Sequence, residues 1–291
     1  MTIALRKNYV TNLDEVFKLA SKSADLLADP ATVQQGNQVN EILIPKMTMD
    51  GLADVGANGD LVGGDVALEY ETKQFNYERG RSFKVKSITN EETANVVFGN
   101  LAAEFVRTKV VPEDDAFTFA KISGLTGIDK VASAATLSTG ADVIAALRAA
   151  ITSMDENEVP AEQRILYITP TLLGLVQDLD TTKSREVLNR FSKIVEVPQT
   201  RFYTAIDLYD GTTGGEEAGH YVKDSTNGKD INFLIIHKPS IMKWHKQTAS
   251  DIITPDENQT GYAYIQKYMT YGIVEGYDNK KKGIYLHHKA S

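Results

Sequence analysis

Paired histidines, paired aspartates and a lysine triplet are where this sequence gathers its reactive groups. His287 and His288 could ligate a metal, but neighbours on a strand point to opposite faces and do not easily chelate one ion. Asp114 and Asp115 could share acid–base work. Successive helix positions diverge by about 100°, so this pair better suits a helix first turn, where acids favour the dipole. His237 closes an apolar run and reads as a satisfied structural histidine. Lys280, Lys281 and Lys282 beside Asp278 read as a solvated turn, with nucleic acid or an acidic neighbour as the alternative contact. The sequon at Asn258-Gln259-Thr260 has no meaning in a chain that stays in the cytoplasm.

Longer catalytic signatures are missing. The sequence contains no GxxxxGK[ST], GxGxxG, HExxH or GxSxG. The glycines between positions 56 and 64 lack the lysine and the following helix that a phosphate cradle needs. The expectation is a protein that is not an enzyme, with no catalytic residue, no cofactor and no metal.

Composition narrows the class. A chain of 291 residues with 42% hydrophobic and 24% charged residues can bury a substantial core. Zero cysteines exclude disulfides, thiolate zinc sites and a cysteine nucleophile, and suit a reducing compartment. A net charge of −8 argues against a protein whose task is gripping phosphates, though not against one living beside packed DNA. No apolar run approaches the roughly 20 residues that span a bilayer, and the N-terminus lacks signal-peptide order. A cytoplasmic product without membrane contact is expected.

The elements that would position these groups can be read in order. Leu13, Val16, Phe17, Ala20, Ala24 and Leu27 follow helical spacing up to Pro30, within a first forty residues that look like an arm needing a neighbour. From Val39 to Ile88 the pattern is β, with an apolar run at Ile42–Ile44 and alternation through Phe75, Tyr77, Phe83, Val85 and Ile88. Between them lies a glycine-rich excursion with Gly51, Gly56, Gly59, Gly63 and Gly64, which would be marginal alone in water. It reads either as a mobile surface hairpin or as an intersubunit arm. A helix then runs from about Asn90 to Ile122, about 50 Å if straight, with Pro112 expected to kink or restart it. Helices at 140–157 and after Thr169-Pro170, and strands at 164–169, 193–197 and 232–237, make an α/β layer. A polar loop spans Asp210–Gly219. Pro239 is expected to open a helix carrying Ile241, Met242 and Trp244. Two β stretches split at Asp256–Gly261 and a last strand at 283–289 end the chain.

That order resembles the major capsid fold of tailed bacteriophages. The closing block INFLIIHKPSIMKWHK and DIITPDENQTGYAYIQKYMTYGIVEGYDNKKKGIYLHHK is similar to the end of many such subunits, and RILYITP resembles their strand-to-proline turn. The resemblance implies an α+β fold with an N-terminal arm (1–38), an extended β loop (39–88), a peripheral domain with a spine helix (89–133), an axial domain (134–248), a peripheral β hairpin (249–282) and a returning strand (283–291). It implies a head protein that self-assembles into pentamers and hexamers of an icosahedral virion shell around double-stranded DNA, in the bacterial cytoplasm. Partners would be copies of itself, a portal protein, a decoration protein and, given the short arm before the β loop, a separate scaffolding protein; DNA would only lie nearby. Lysine–asparagine crosslinks occur in some relatives, but Lys46 and Lys73 have no assignable partner and none is expected here. Contact between subunits is expected at Leu52, Val55, Gly56, Asn58, Gly59, Leu61, Gly63 and Gly64, and at Gly211, Gly214 and Gly215 in a loop facing the ring centre. Two alternatives stand beside this: an encapsulin-like compartment shell, and an α/β enzyme with a ligand near the 210–219 loop.

Overall fold

A computed structural model describes residues 20–28, 41–55, 59–88, 96–131, 135–179 and 181–290. The chain begins with three strands, β1 (Glu41–Met49), β2 (Val66–Gln74) and β3 (Tyr77–Lys86). Helices α1 (Val96–Phe105) and α2 (Val111–Gly124) follow, joined by a π-helical segment at Val106–Val110. Next come β4 (Asp129–Lys130), α3 (Gly140–Glu156), β5 (Arg164–Ile168), α4 (Pro170–Asp178), α5 (Thr182–Leu188) and β6 (Lys193–Glu196). The strands β7 (Ile206–Leu208), β8 (Tyr221–Lys223), β9 (Ile231–His237), β10 (Ile241–Ile253), β11 (Ala263–Gly276) and β12 (Ile284–His288) complete it.

The core is a mixed five-stranded sheet in the order β4-β12-β9-β5-β6. Side chains alternate across a strand, so each strand feeds two apolar layers. Ile165, Tyr167, Leu234, Ile236, Ile284 and Leu286 face one side and meet Phe119 and Ile122 of α2. Leu166, Ile168, Phe233, Ile235 and Tyr285 face the other and meet Val143, Leu147, Ile151 and Met154 of α3 and Leu172 and Val176 of α4. With helices on both faces, β5 is buried at every position, which is why RILYI reads as a continuous apolar run with no alternation. Thr139 and Asp142 form a reciprocal capping box that starts α3. Thr169 and Pro170 start α4 as their order predicts, although the Thr169 hydroxyl makes no capping bond.

A second, three-stranded antiparallel sheet, β10-β11-β3, lies along the long helix. Aromatic pairs join them: Tyr77 with Phe117 at 4.6 Å, Phe83 with Phe105 at 4.8 Å and Phe105 with Tyr268 at 5.8 Å between ring centres. Pro112 stands in the first turn of α2, directly after the π-helical segment. Its missing N–H and ring clash are absorbed by the π turn just before it, through which the backbone stays helical. The start of the helix expected at about Asn90 lies outside the described residues.

Two expectations fail. Pro239 opens no helix: Lys238–Ser240 is a single 3-10 turn, and Ile241 begins a strand of 13 residues. Ile241, Met242 and Trp244 fit either period, and pairing with β11 from Ile241↔Gly276 to Ile253↔Ile265 decides for the strand. Met242 then packs on Ile42 and Ile273, while Ile241 joins the central core. The arm helix expected over 13–27 also fails in its described part. Residues 24–26 are one 3-10 turn, and Leu27 bridges to Lys243. Here residues 21–23 are stitched to their own chain through Asp115.

Candidate assembly surfaces

β1 and β2 form a two-stranded antiparallel ribbon whose nine pairs run in unbroken register from Glu41↔Gln74 to Met49↔Val66. Its root is anchored. Ile42 is buried against Met242 and Ile273, and Lys73 pairs with Glu71 and, at 3.6 Å, with Asp278. Away from the root the ribbon is bare. Cross-strand partners share a face, so Pro45/Tyr70, Met47/Leu68 and Met49/Val66 form one apolar face. Lys46/Glu69 and Thr48/Ala67 lie on the other. Met47, Met49, Val66, Leu68 and Tyr70 are all exposed.

The tip closes through Asp50, which accepts from the Asp65 N–H at 2.8 Å, while the Asp50 N–H donates to the Asp65 carbonyl at 3.1 Å. Beyond it Leu52 is 107% and Leu61 83% exposed, and Val55 is exposed too. No element of the chain covers these residues among those described. Gly59 takes a left-handed backbone (φ 83°), and Gly51 and Gly63 have open space around them. Gly64 sits beside Asp50. Gly56 and Asn58 lie outside the described residues.

The 210–219 loop is shaped by its own residues. Asp210 accepts from the N–H groups of Thr212 and Thr213 at 2.7 and 2.8 Å, and these bonds hold its carboxyl well below the usual range. The loop is tied down to β3: the Arg81 guanidinium donates to the Glu217 carbonyl at 2.8 Å. Gly211 suits its left-handed backbone, φ 77°, and the Arg81 guanidinium lies close beside it. Gly214 and Gly215 face open space.

The paired histidines, His237 and the lysine triplet make contacts within the chain. His287 is buried, stacks on Phe233 at 4.9 Å and meets the Asn232 amide at 3.0 Å. Burial, with His288 beside it, pushes its imidazole down to about 4. His237 lies 3.4 Å from the Ser240 hydroxyl. The lysine triplet is committed within the chain: Lys280 lies over the Tyr277 ring, Lys281 pairs with Asp278 at 2.6 Å and Lys282 with Asp129 at 2.5 Å. No group of three or more metal-ligating side chains comes together among the described residues.

Asp114 and Asp115 do diverge, yet each becomes the centre of a buried polar cluster. Asp115 is fully buried and pairs with Arg201 at 3.0 Å. It also accepts from the Ser21 and Ser23 hydroxyls at 2.9 and 2.6 Å and from the N–H groups of Lys22 and Ser23. Asp114 pairs with buried Lys243 at 2.6 Å and meets His245 at 3.1 Å. Burial raises the Asp114 carboxyl, but Lys243 and His245 outweigh this and hold it below its usual value. Sequence reasoning missed these partners because they lie 86 to 131 positions away in the chain. The one available signal was a doubled acid inside an apolar helix.

No family model matches the chain, and no curated protein matches it in sequence. Solved structures do match, over the whole length. The chain is similar to a subunit of the bacteriophage PhiM1 mature capsid, with a TM-score of 0.67 and 14% identity, covering 99% of this chain and 93% of that one. For the capsid of Myoviridae phage XM1 the values are 0.62 and 9%, covering 99% of both chains. For the capsid of cyanophage P-SCSP1u they are 0.60 and 16%, covering 98% and 93%. The chain has the α+β fold of phage capsid subunits.

Proposed function

We propose that this chain is a phage major capsid protein, closing with its own copies into an icosahedral shell that encloses double-stranded DNA. The observation that carries this reading is the ribbon. A packed body projects a two-stranded arm whose apolar face and tip stay bare among the described residues. Such a ribbon is marginal by itself, and a second copy provides the missing cover. Each subunit lays its ribbon over a neighbour through Leu52, Val55, Gly56, Asn58, Gly59, Leu61, Gly63 and Gly64. One such contact is weak, but pentamers and hexamers multiply it, because several neighbours hold every subunit. Gly211, Gly214 and Gly215 in the 210–219 loop form a second contact, nearer the ring centre. The net charge of −8 supports a wall that lies beside DNA without adhering to it. A scaffolding protein, a portal and a decoration protein complete the head, which assembles in the host cytoplasm. The role is structural and requires no catalysis.

Electron microscopy of the purified protein tests this. Hollow spheres, tubes or capsomer rings are expected, with DNA in native particles. A monodisperse small particle under all assembly conditions would overturn the reading.

A further inference from the structure

Residues 20–28 touch three parts of the molecule at once. On the side of the five-stranded sheet, Asp25 pairs with Lys193 of β6 at 2.7 Å. There too the Ala20 carbonyl accepts from Arg201, in the 3-10 turn Gln199–Arg201, at 3.3 Å. On the side of the three-stranded sheet, the Ala28 N–H donates to the Lys243 carbonyl of β10 at 2.8 Å. In between, the Ser23 hydroxyl donates to Asp115 of α2 at 2.6 Å and accepts from the Lys243 ammonium at 2.7 Å. One unbroken polar chain, Arg201–Asp115–Ser23–Lys243–Asp114, thus crosses from one sheet to the other. Ser23, Asp115, Arg201 and Lys243 are buried, as is Leu26, which enters the central core.

Elsewhere the two sheets meet through apolar contact, with Ile241 of β10 and Val274 of β11 entering the central core. Apolar contact is non-directional, whereas a hydrogen bond weakens steeply off line, and bonds to charged groups are the strong ones. The polar chain is therefore the part of this junction that responds to the angle between the sheets. Ser23 is its neutral member, a single hydroxyl that joins the Asp115–Arg201 half to the Lys243–Asp114 half. We propose that residues 20–28 clamp the two sheets at a fixed angle, and so hold each subunit to the shape that sets the curvature of the shell. The inference rests on the shell reading for its consequence alone, because the clamp acts within a free subunit.

Two changes unhook the clamp from β10 and leave the Asp115–Arg201 and Asp114–Lys243 pairs in place. Ser23→Ala removes the bridging hydroxyl. Ala28→Pro removes the N–H donor, behind a Leu27 backbone already extended (ψ 127°), as a residue before proline must be. Since the chain has no cysteine, spin labels at Thr152→Cys and Ser82→Cys, both exposed positions, report the distance from α3 to β3. Pulsed electron resonance on free subunits should give one narrow distance with the clamp intact and a distribution at least twofold wider in the double variant. Ser23→Ala alone should widen it in the same direction. Ser23→Thr, which keeps the hydroxyl, should leave it narrow, and so should Ile151→Val, which loosens the core away from the clamp. Particles assembled from the double variant should spread in diameter. An unchanged width in the variants, or equal widening by Ile151→Val, would overturn the clamp and leave the shell reading standing. Wider distances with particles of undiminished uniformity would overturn the link to curvature.

Discussion

β5 and β2 are both strands with apolar residues, and they live in opposite surroundings. All five residues of β5 are buried, between helices on both faces and strands on both edges. Seven of the nine residues of β2 are exposed, and among the described residues its ladder partner is β1 alone. The first draws its stability from its own chain, since apolar area removed from water is the dominant favourable term. The second has removed much less, with Val66, Leu68 and Tyr70 more than half exposed. Leu52, Leu61, Leu68 and Tyr70 are all exposed in one arm, and on the proposed reading the parts that fold are separate from the parts that assemble.

The sharpest way to break that comparison is to delete residues 51–64. Closed particles should disappear, with the melting temperature of the subunit unchanged. A fall in melting temperature would mean that the ribbon belongs to the fold. In the core the expectation reverses. Phe233→Ala removes a ring buried between Tyr285 and His287 and should cost about 3–5 kcal/mol in chemical denaturation. Asp115→Ala leaves Arg201 buried without its carboxylate and should cost about 3–5 kcal/mol. It should also open the chain near Lys22 to trypsin, because the hydrogen bonds that stitch residues 21–23 are lost.

A pH titration gives a smaller effect. His287 is neutral in the fold down to about 4, whereas in the unfolded chain it takes up a proton near 6.5. Its contribution is complete above about pH 6.5 and is lost as the pH falls toward about 4. The loss is at most roughly 3 kcal/mol. Asp114, held below the usual carboxylate range, adds a loss only below about pH 4. Denaturation midpoints between pH 7 and 4 should follow this slope, and His287→Phe should flatten it. Smallest of all, Leu52→Ser should change subunit stability by under about 0.5 kcal/mol while reducing particle yield. A larger stability loss would blur the line between the two regions.

Much of this was legible without a structure, and the reasons are local. The apolar run at Ile42–Ile44 marked β1, alternation through Tyr77, Phe83 and Val85 marked β3, and three-four spacing marked α3, whereas β2 was not singled out from the stretch around it. Local pattern could not decide Ile241–Trp244, where helix and strand periods both fit and β11 chose between them. Nor could it show that the π turn would absorb Pro112.

By itself, the sequence determined the order of elements, the absence of thiol chemistry and the contrast between a buried body and a bare arm. These depend on residue type and short-range period. Only the tertiary structure decided where the charges went. Asp114 and Asp115 find Lys243, His245 and Arg201 because the packing of helix, sheet and N-terminal segment brings distant residues into one dry space. The clamp of residues 20–28 likewise exists only once Arg201, the long helix and Lys243 stand side by side. Both are products of contacts made across the chain, which no local pattern of residues encodes.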